Sequence, residues 1–539
     1  MRPFAPWVWD IPELFNIGAA CTDAHLGTSV ANRAAVIVDD DTRGVQQLTF
    51  AALAERTSRF GQLLRDLRIA AGDRVLIRLP NCIEYPTVFL GAMKRGAVPV
   101  PTSVLLTAEE VLYLAQDSGA AALVTDRATW NALHDTLEQF EHVTHVVLIG
   151  TGERAPARRL TVIDLDAALA AVGPCQEPEP TRASDPAYLV YTSGTTGYPK
   201  GVLHAHRALL GRQPSSTYWF NFRPEGERVL HSGKFNWTYV LGTGLMDPLY
   251  RGHTAIVHEG TNDASMWPRL IAKHAATTFI GVPTLYRHVI QRTTFTHADV
   301  PTLRHCMSAG EQLSGEVLAA WRERFGLDIY EGLGMTECSY YLCETKERPI
   351  RPGSAGFAQP GHDVKLLDPQ TWHEVAPGEE GMICIPRTDP ALMLRYWNQP
   401  EETAACFHGD WFLTGDYARR DADGYIWFLG RRDDLINTFG YRVSPHEVER
   451  VLKDHPEVAD AAVVGEEPAK DKVLVAAYVI PRAGCALNAD AMIEYGRQRL
   501  ASYKAPKLVY VVDEFPRTRN GKVLRRALTP TSARERSSV

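Results

Sequence analysis

Residues 191–202 read YTSGTTGYPKGV, a run of threonines, glycines, a serine and a lysine directly after the apolar stretch 187–190. The pattern predicts a buried strand that empties into a polar loop, and such a loop suits a polyphosphate. Glycines let backbone N–H groups approach closely, the hydroxyls of Thr192, Ser193, Thr195 and Thr196 donate to phosphate oxygens, and Lys200 adds a full positive charge. It is not a Walker loop, which needs Gly-Lys-Ser/Thr in succession; here Pro199 precedes Lys200 and Gly201 follows it. A flexible connector is the plainer alternative, but connectors rarely leave a strand and carry one fixed lysine.

These residues resemble the phosphate loop of the adenylate-forming superfamily, which includes acyl- and aryl-CoA synthetases, luciferases and the adenylation domains of peptide synthetases. Within it the likeness is to medium-chain acyl-CoA synthetases and benzoate-CoA ligases, and it runs from about Phe15 to about Leu528. The resemblance implies ATP, Mg²⁺ and coenzyme A as reactants and cofactor. It makes Thr192, Ser193, Gly194, Thr195, Thr196, Gly197 and Lys200 the nucleotide-phosphate cradle. In EGLGMTE, residues 331–337, it makes Thr336 a phosphate contact, Glu337 the Mg²⁺ ligand, and Gly332, Leu333, Gly334 and Met335 part of the nucleotide site. A hard cation on a triphosphate keeps several waters, so one carboxylate suffices. Many relatives carry an aromatic residue where this chain has Leu333, which weakens stacking on adenine.

Ser308 opens a segment, with Ala309, Gly310 and Glu311, that resembles the family's SAGE lining of adenine and the acid pocket. Thr414-Gly415-Asp416 resembles the TGD whose aspartate binds ribose, and a carboxylate is suited to accept from both hydroxyls of a cis-diol. Arg431 and Asp433 fall in GRRDD, matching a ribose- or phosphate-binding arginine and the pivot of a hinge. Lys522, in PRTRNGK, matches the catalytic lysine of adenylation, whose ammonium stabilises the charge that gathers on the α-phosphate. Rotation about the hinge would exchange Lys522 for the loop at Phe439, with Gly440, Tyr441 and Arg442 beside the entering thiol.

The acid pocket implied by the resemblance includes Phe235, Asn236, Trp237, Tyr239, Gly281, Gly310, Leu333 and Gly334. Amino-acid-activating relatives place an aspartate where this chain has neutral Asn236, so a buried ammonium would lack a partner and an amino-acid substrate is disfavoured. Trp237, Tyr239 and Leu333 make an apolar wall suited to an aromatic ring or a medium alkyl chain, though the same residues could be plain core. Two other readings stay open: an adenylating enzyme that loads a carrier protein, and a non-enzymatic nucleotide binder.

These residues must be positioned by a chain of 539 residues, too long for one hydrophobic core. A net charge of -7 with 22% charged residues argues against a general nucleic-acid or anionic-membrane binder. The nine cysteines form no CxxC pair, Cys338 and Cys343 being the nearest two, which predicts reduced thiols and a cytoplasmic location. The N-terminus lacks a signal-peptide pattern, and no apolar run is long enough to span a bilayer. A homodimer is a candidate assembly that the sequence leaves open.

After an irregular aromatic start, Thr49 is expected to cap a helix with Leu53, Phe60, Leu63, Leu64 and Leu67 on one face. Strands are expected at 75–77, 98–100, 122–125 and 146–149. Helices fall at 85–94, ended by Gly96, and after a Thr107/Glu110 capping box. This alternation predicts a parallel sheet covered by helices. Residues 150–185 read as a surface connection, 185–334 as a second such unit with strands at 254–257, 277–281 and 304–308, and 353–431 as a β-rich part. The expected fold is therefore α/β: a large N-terminal domain (1–432) of two α/β subdomains plus a β-rich subdomain, and a small mobile C-terminal α+β domain (433–539).

Overall fold

Local capping chemistry decides where the first helices begin. In the computed structural model Thr49 is extended and its side chain accepts from the Ala52 N–H, starting the helix Phe50–Asp66. Its buried stripe of Phe50, Leu53, Phe60, Leu63 and Leu64 packs on the helix Glu84–Lys94. The two helices touch at Gly91, where an added Cβ would lie 2.8 Å from the Thr57 carbonyl. Thr107 and Glu110 make the reciprocal capping box that opens Ala108–Ser118. The structure describes residues 4–133, 136, 139–150, 159–173, 175–192, 199–431, 434, 436–438, 441–469, 472–500, 504–517, 523–530 and 535–538.

The expected parallel layers are present. One sheet of five parallel strands runs in the order Val98–Pro101, Arg74–Arg78, Ala122–Asp126, His145–Ile149, Thr161–Asp164. Its last strand, with the helix Leu165–Ala171 behind it, corrects the expectation of a plain connection over 150–185. Both elements are too short to show a period in sequence, yet Leu165 and Leu169 are buried.

The central sheet has nine strands and carries a second correction. Ala34–Asp40, within the start read as irregular, pairs parallel with Thr254–Glu259 and antiparallel with Gly44–Thr49. The chain's beginning thus completes the second layer. From there the sheet continues through Arg228–His231, Thr278–Gly281, His305–Ala309, Ile329–Met335, Ser339–Cys343 and Phe357–Ala358. Pro186–Thr192 and Lys200–Ala205 lie outside it, as an antiparallel hairpin extended by Arg395–Tyr396. The β-rich part forms an antiparallel sheet from Lys365–Leu367, Glu380–Pro386, Phe407–His408, Trp411–Arg420 and Ile426–Arg431.

A smaller C-terminal domain follows the large N-terminal one. The strands Val458–Ala469, Lys472–Pro481, Leu508–Val511 and Glu535–Ser538 make its sheet, and the helices Pro445–Lys453 and Ala489–Arg499 supply Val448, Leu452, Met492 and Ile493 to its own apolar cluster. Arg482 pairs with Glu316 of the large domain at 2.5 Å, and Asp460 lies 3.8 Å from Arg287. Each of the nine cysteines is a free thiol, and among the described residues no helix is long and apolar enough to cross a membrane.

Candidate functional site

Four neighbouring parallel strands end together on the central sheet: Arg228–His231, Thr278–Gly281, His305–Ala309 and Ile329–Met335. In open α/β sheets the crevice outside such carboxyl ends is where ligands bind. The register sets His231 beside Ile280, and Ala309 beside Gly332. Side chains alternate along strands, so His231, Ile280, Ala309 and Gly332 share one face. Trp219 and Tyr239 cover that face, with ring centroids 6.4 Å apart, and Trp237 stands 5.2 Å from Tyr239. Small residues make room for these rings: a Cβ on Gly332 would sit 2.4 Å from Trp219, and Gly310, at φ +90°, leaves the Trp237 ring 3.6 Å from where a Cβ would stand.

At the end of the crevice, Ile329–Met335 folds back on Ser339–Cys343, and the tight return carries Thr336 and Glu337. Only glycine fits at 334, since a Cβ there would come within 1.9 Å of the Ser339 carbonyl oxygen. The Thr336 carbonyl is 2.8 Å from His204 Nε2. Burial holds His204 down at about 3, so its imidazole is neutral and this nitrogen donates. The Glu337 carboxylate accepts from the Tyr396 hydroxyl at 2.7 Å, and its backbone carbonyl accepts from the Met393 N–H at 2.7 Å.

The hairpin Pro186–Thr192 and Lys200–Ala205 arrives at the same place. Thr192 and Lys200 are opposite each other at its mouth, and Arg395–Tyr396 pairs with Val202 and Leu203. The Lys200 ammonium consequently lies 5.6 Å from the centre of the Tyr396 ring and 2.6 Å from a Glu402 carboxylate oxygen. Lys200 and Glu337, far apart in sequence, therefore meet at one tyrosine. Ser193, Gly194, Thr195, Thr196 and Gly197 lie outside the described residues.

Asp416 and Arg431 face each other across the strands Trp411–Arg420 and Ile426–Arg431, with Nε 3.7 Å from the carboxylate. The Thr414 hydroxyl donates to the Ile383 carbonyl and accepts from the Asp416 N–H at 3.0 Å, which fixes the turn. Burial pushes the Tyr341 phenol far up, and the charge of Asp416 acts the same way. Glu311 accepts from the Thr284 hydroxyl at 2.6 Å. Leu333 and Met335 are partly buried against an apolar cluster that includes Tyr341 and Ile383. Among the expected pocket residues, Phe235 is turned away: it is buried in the core, 5.1 Å from the Tyr85 ring, with its N–H donating to Asn81. Gly281 would meet Leu285 at 3.2 Å if it bore a Cβ, which places it against the helix Pro283–Arg292.

Lys522, Asp433 and Gly440 lie outside the described residues. Tyr441 and Arg442 are described as backbone only, in the strand Tyr441–Val443 paired with Ile436–Thr438. Arg517 and Val523 form an antiparallel bridge. Arg517 reaches Asp460 at 3.3 Å, and the same aspartate faces Arg287 on the helix that carries Thr284. Trp219, His231, Tyr396 and Glu402 were missed in the sequence. Each joins the site through pairing or packing over long separations, and none sits at a fixed spacing from the loop motifs.

The family described as "AMP-binding enzyme" matches residues 26–397, and "AMP-binding enzyme C-terminal domain" matches residues 447–522. The benzoate–CoA ligase of Thauera aromatica is 35% identical over 528 residues, covering 96% of each chain. A mitochondrial acyl-coenzyme A synthetase of Homo sapiens is 30% identical and covers 96% of this chain and 90% of its own. The crystal structure of an anthranilate CoA ligase in complex with anthranoyl-AMP superposes with a TM-score of 0.86 at 29% identity, over 96% of this chain and 97% of that one.

Proposed function

We propose, on the premise that this chain belongs to the AMP-binding enzyme family and is an AMP-forming acid–thiol ligase, that it activates an aromatic or medium-chain carboxylic acid and passes it to coenzyme A. The carboxylate attacks the α-phosphate of ATP and pyrophosphate leaves. The thiol of CoA then attacks the acyl carbon and AMP leaves. The observation that carries this reading is the meeting of Lys200 and Glu337 at Tyr396, beside a crevice walled by Trp219, Trp237 and Tyr239.

In this reading the hairpin loop and Lys200 hold the polyphosphate, Asp416 holds the ribose, and Lys522 stabilises charge at the α-phosphate. Among the described residues no group of three or more His, Cys, Asp or Glu side chains could hold a metal by itself. A single carboxylate, Glu337, fits Mg²⁺, which keeps most of its ligands as water and phosphate oxygen and would neutralise charge on the polyphosphate. The aromatic wall of Trp219, Trp237 and Tyr239 favours a ring or an alkyl chain, and neutral Asn236 supplies no carboxylate for an α-ammonium.

We divide the chain at a hinge near Asp433, with residues 1–432 static and 433–539 rotating between half-reactions. Free thiols are in keeping with a cytoplasmic enzyme. A homodimer is compatible with chemistry that needs residues of one chain only. The acceptor is tested by following acid- and ATP-dependent thiol consumption with CoA and, in parallel, with a phosphopantetheinyl carrier protein. Consumption of CoA is expected. Consumption of the carrier thiol alone would transfer the assignment to a carrier-loading enzyme.

A further inference from the structure

We propose that His231 and Tyr239 form a polar recognition pair in the acid pocket, and that the preferred acid carries a hydroxyl group on an aromatic ring. The inference rests on the ligase reading above and narrows its substrate.

His231 ends the strand Arg228–His231 on the face shared with Ala309 and Gly332. Its ring meets the Tyr239 ring edge-on, with centroids 5.0 Å apart. The Gly233 N–H donates to Nδ1 at 3.0 Å, which leaves the proton on Nε2. His231 is 1% exposed, and burial holds its pKa down to about 3, so the ring is a neutral donor through Nε2. Among the described residues nothing accepts from that Nε2–H. The Tyr239 hydroxyl oxygen is equally shielded from solvent and, among the same residues, equally without a partner.

Buried polar groups in native proteins are nearly always paired, and two adjacent exceptions at a ligand crevice ask for a ligand group. The chemistry of the pair restricts that group. Nε2–H only donates, whereas the phenol donates or accepts. A hydroxyl accepts from His231 and exchanges a second hydrogen bond with Tyr239. A methyl, a halogen or the end of an alkyl chain leaves both unpaired, and a second carboxylate or an ammonium would bring a charge that neither neutral group offsets. The indole of Trp219 lies nearly parallel to Tyr239, at 25°, which suits a flat ring as the carrier of the hydroxyl.

The test is kcat/KM for AMP-forming activation of benzoate, the three monohydroxybenzoates, methyl- and fluorobenzoates and octanoate. It is run on the full chain and on the Tyr239→Phe and His231→Phe variants. The wild type is expected to favour its best hydroxybenzoate over benzoate by about tenfold or more, and that ratio is expected to fall towards one in each variant. Tyr239→Phe preserves the ring, so with the wild-type panel it decides the matter even where His231→Phe does not fold. Use of benzoate or octanoate at least as well as every hydroxybenzoate, or a ratio that survives both substitutions, overturns the pair and leaves the ligase intact. Failure to activate any acid contradicts both readings.

Discussion

In its proposed role Lys200 would reach a phosphate only by leaving Glu402. The contact is short, 2.6 Å, but the Glu402 side chain is 47% exposed, so water and salt weaken the pair and the proposed nucleotide would displace it at small cost. Glu402→Gln should lower KM for ATP by about twofold to fivefold, with a difference that shrinks as salt is raised. An unchanged KM at low salt would mean that the contact does not compete with nucleotide. Tyr396 acts on the other side of the same cluster, holding one oxygen of Glu337. Tyr396→Phe should slow acyl-AMP formation roughly tenfold and raise the Mg²⁺ concentration needed for half-maximal rate, because Glu337 loses its orienting donor. The motif residues of this cluster could be singled out in the sequence because glycine, hydroxyl and cation at close spacing make a local pattern. Tyr396 and Glu402 were not, since their relation to Lys200 exists only once Arg395–Tyr396 pairs with Val202 and Leu203.

The element that aims Thr336 and Glu337 is the return between Ile329–Met335 and Ser339–Cys343. Its closeness at Gly334 has no tolerance, as the neighbour at 1.9 Å from an added methyl is backbone and cannot swing aside. Gly334→Ala should therefore open the return, lower the melting temperature by several degrees and abolish acid-dependent pyrophosphate exchange. A variant with normal exchange would show that the return does not position the reacting groups. Elements with a capping residue and a long apolar stripe, such as Phe50–Asp66 and Ala108–Ser118, could be read from sequence because their signals are local. Thr161–Asp164 and Leu165–Ala171 were too short to show a period. Ala34–Asp40 is stabilised by a partner strand, Thr254–Glu259, that lies far along the chain, which no local pattern encodes.

Among the described residues of the whole molecule, five buried histidines weaken the fold in acid. His204, His231 and His305 are held down at about 3, and His206 and His253 at about 4, by burial. These depressed values mean that the unfolded chain takes up protons below the ordinary 6.5 which the folded chain refuses. Each histidine therefore removes about 1.4 kcal/mol per pH unit as pH falls from 6.5 towards its folded value. Glu331 acts in the opposite sense. Burial raises it to about 8, so its contribution is complete below the ordinary 4.5 and is lost as pH rises through 8; Glu344 beside it is also raised by burial. Denaturant unfolding should give greatest stability near pH 6.5, a steep fall on the acid side and a shallow one towards pH 8. A flat profile between about pH 5 and 6.5 would contradict the neutral, buried state of these rings.

Between the domains the Ser444 hydroxyl bonds the Leu429 carbonyl and the Phe428 and His446 rings touch, while the partly exposed pair Arg482–Glu316 is light enough to break in the proposed turn of the small domain. The most direct measurement compares acid-dependent ATP–pyrophosphate exchange with thioester formation from supplied acyl-AMP, in the wild type and in Lys522→Ala. Loss of exchange with thioester formation retained is the predicted result. Undiminished exchange, or loss of both half-reactions in a folded variant, would contradict the account.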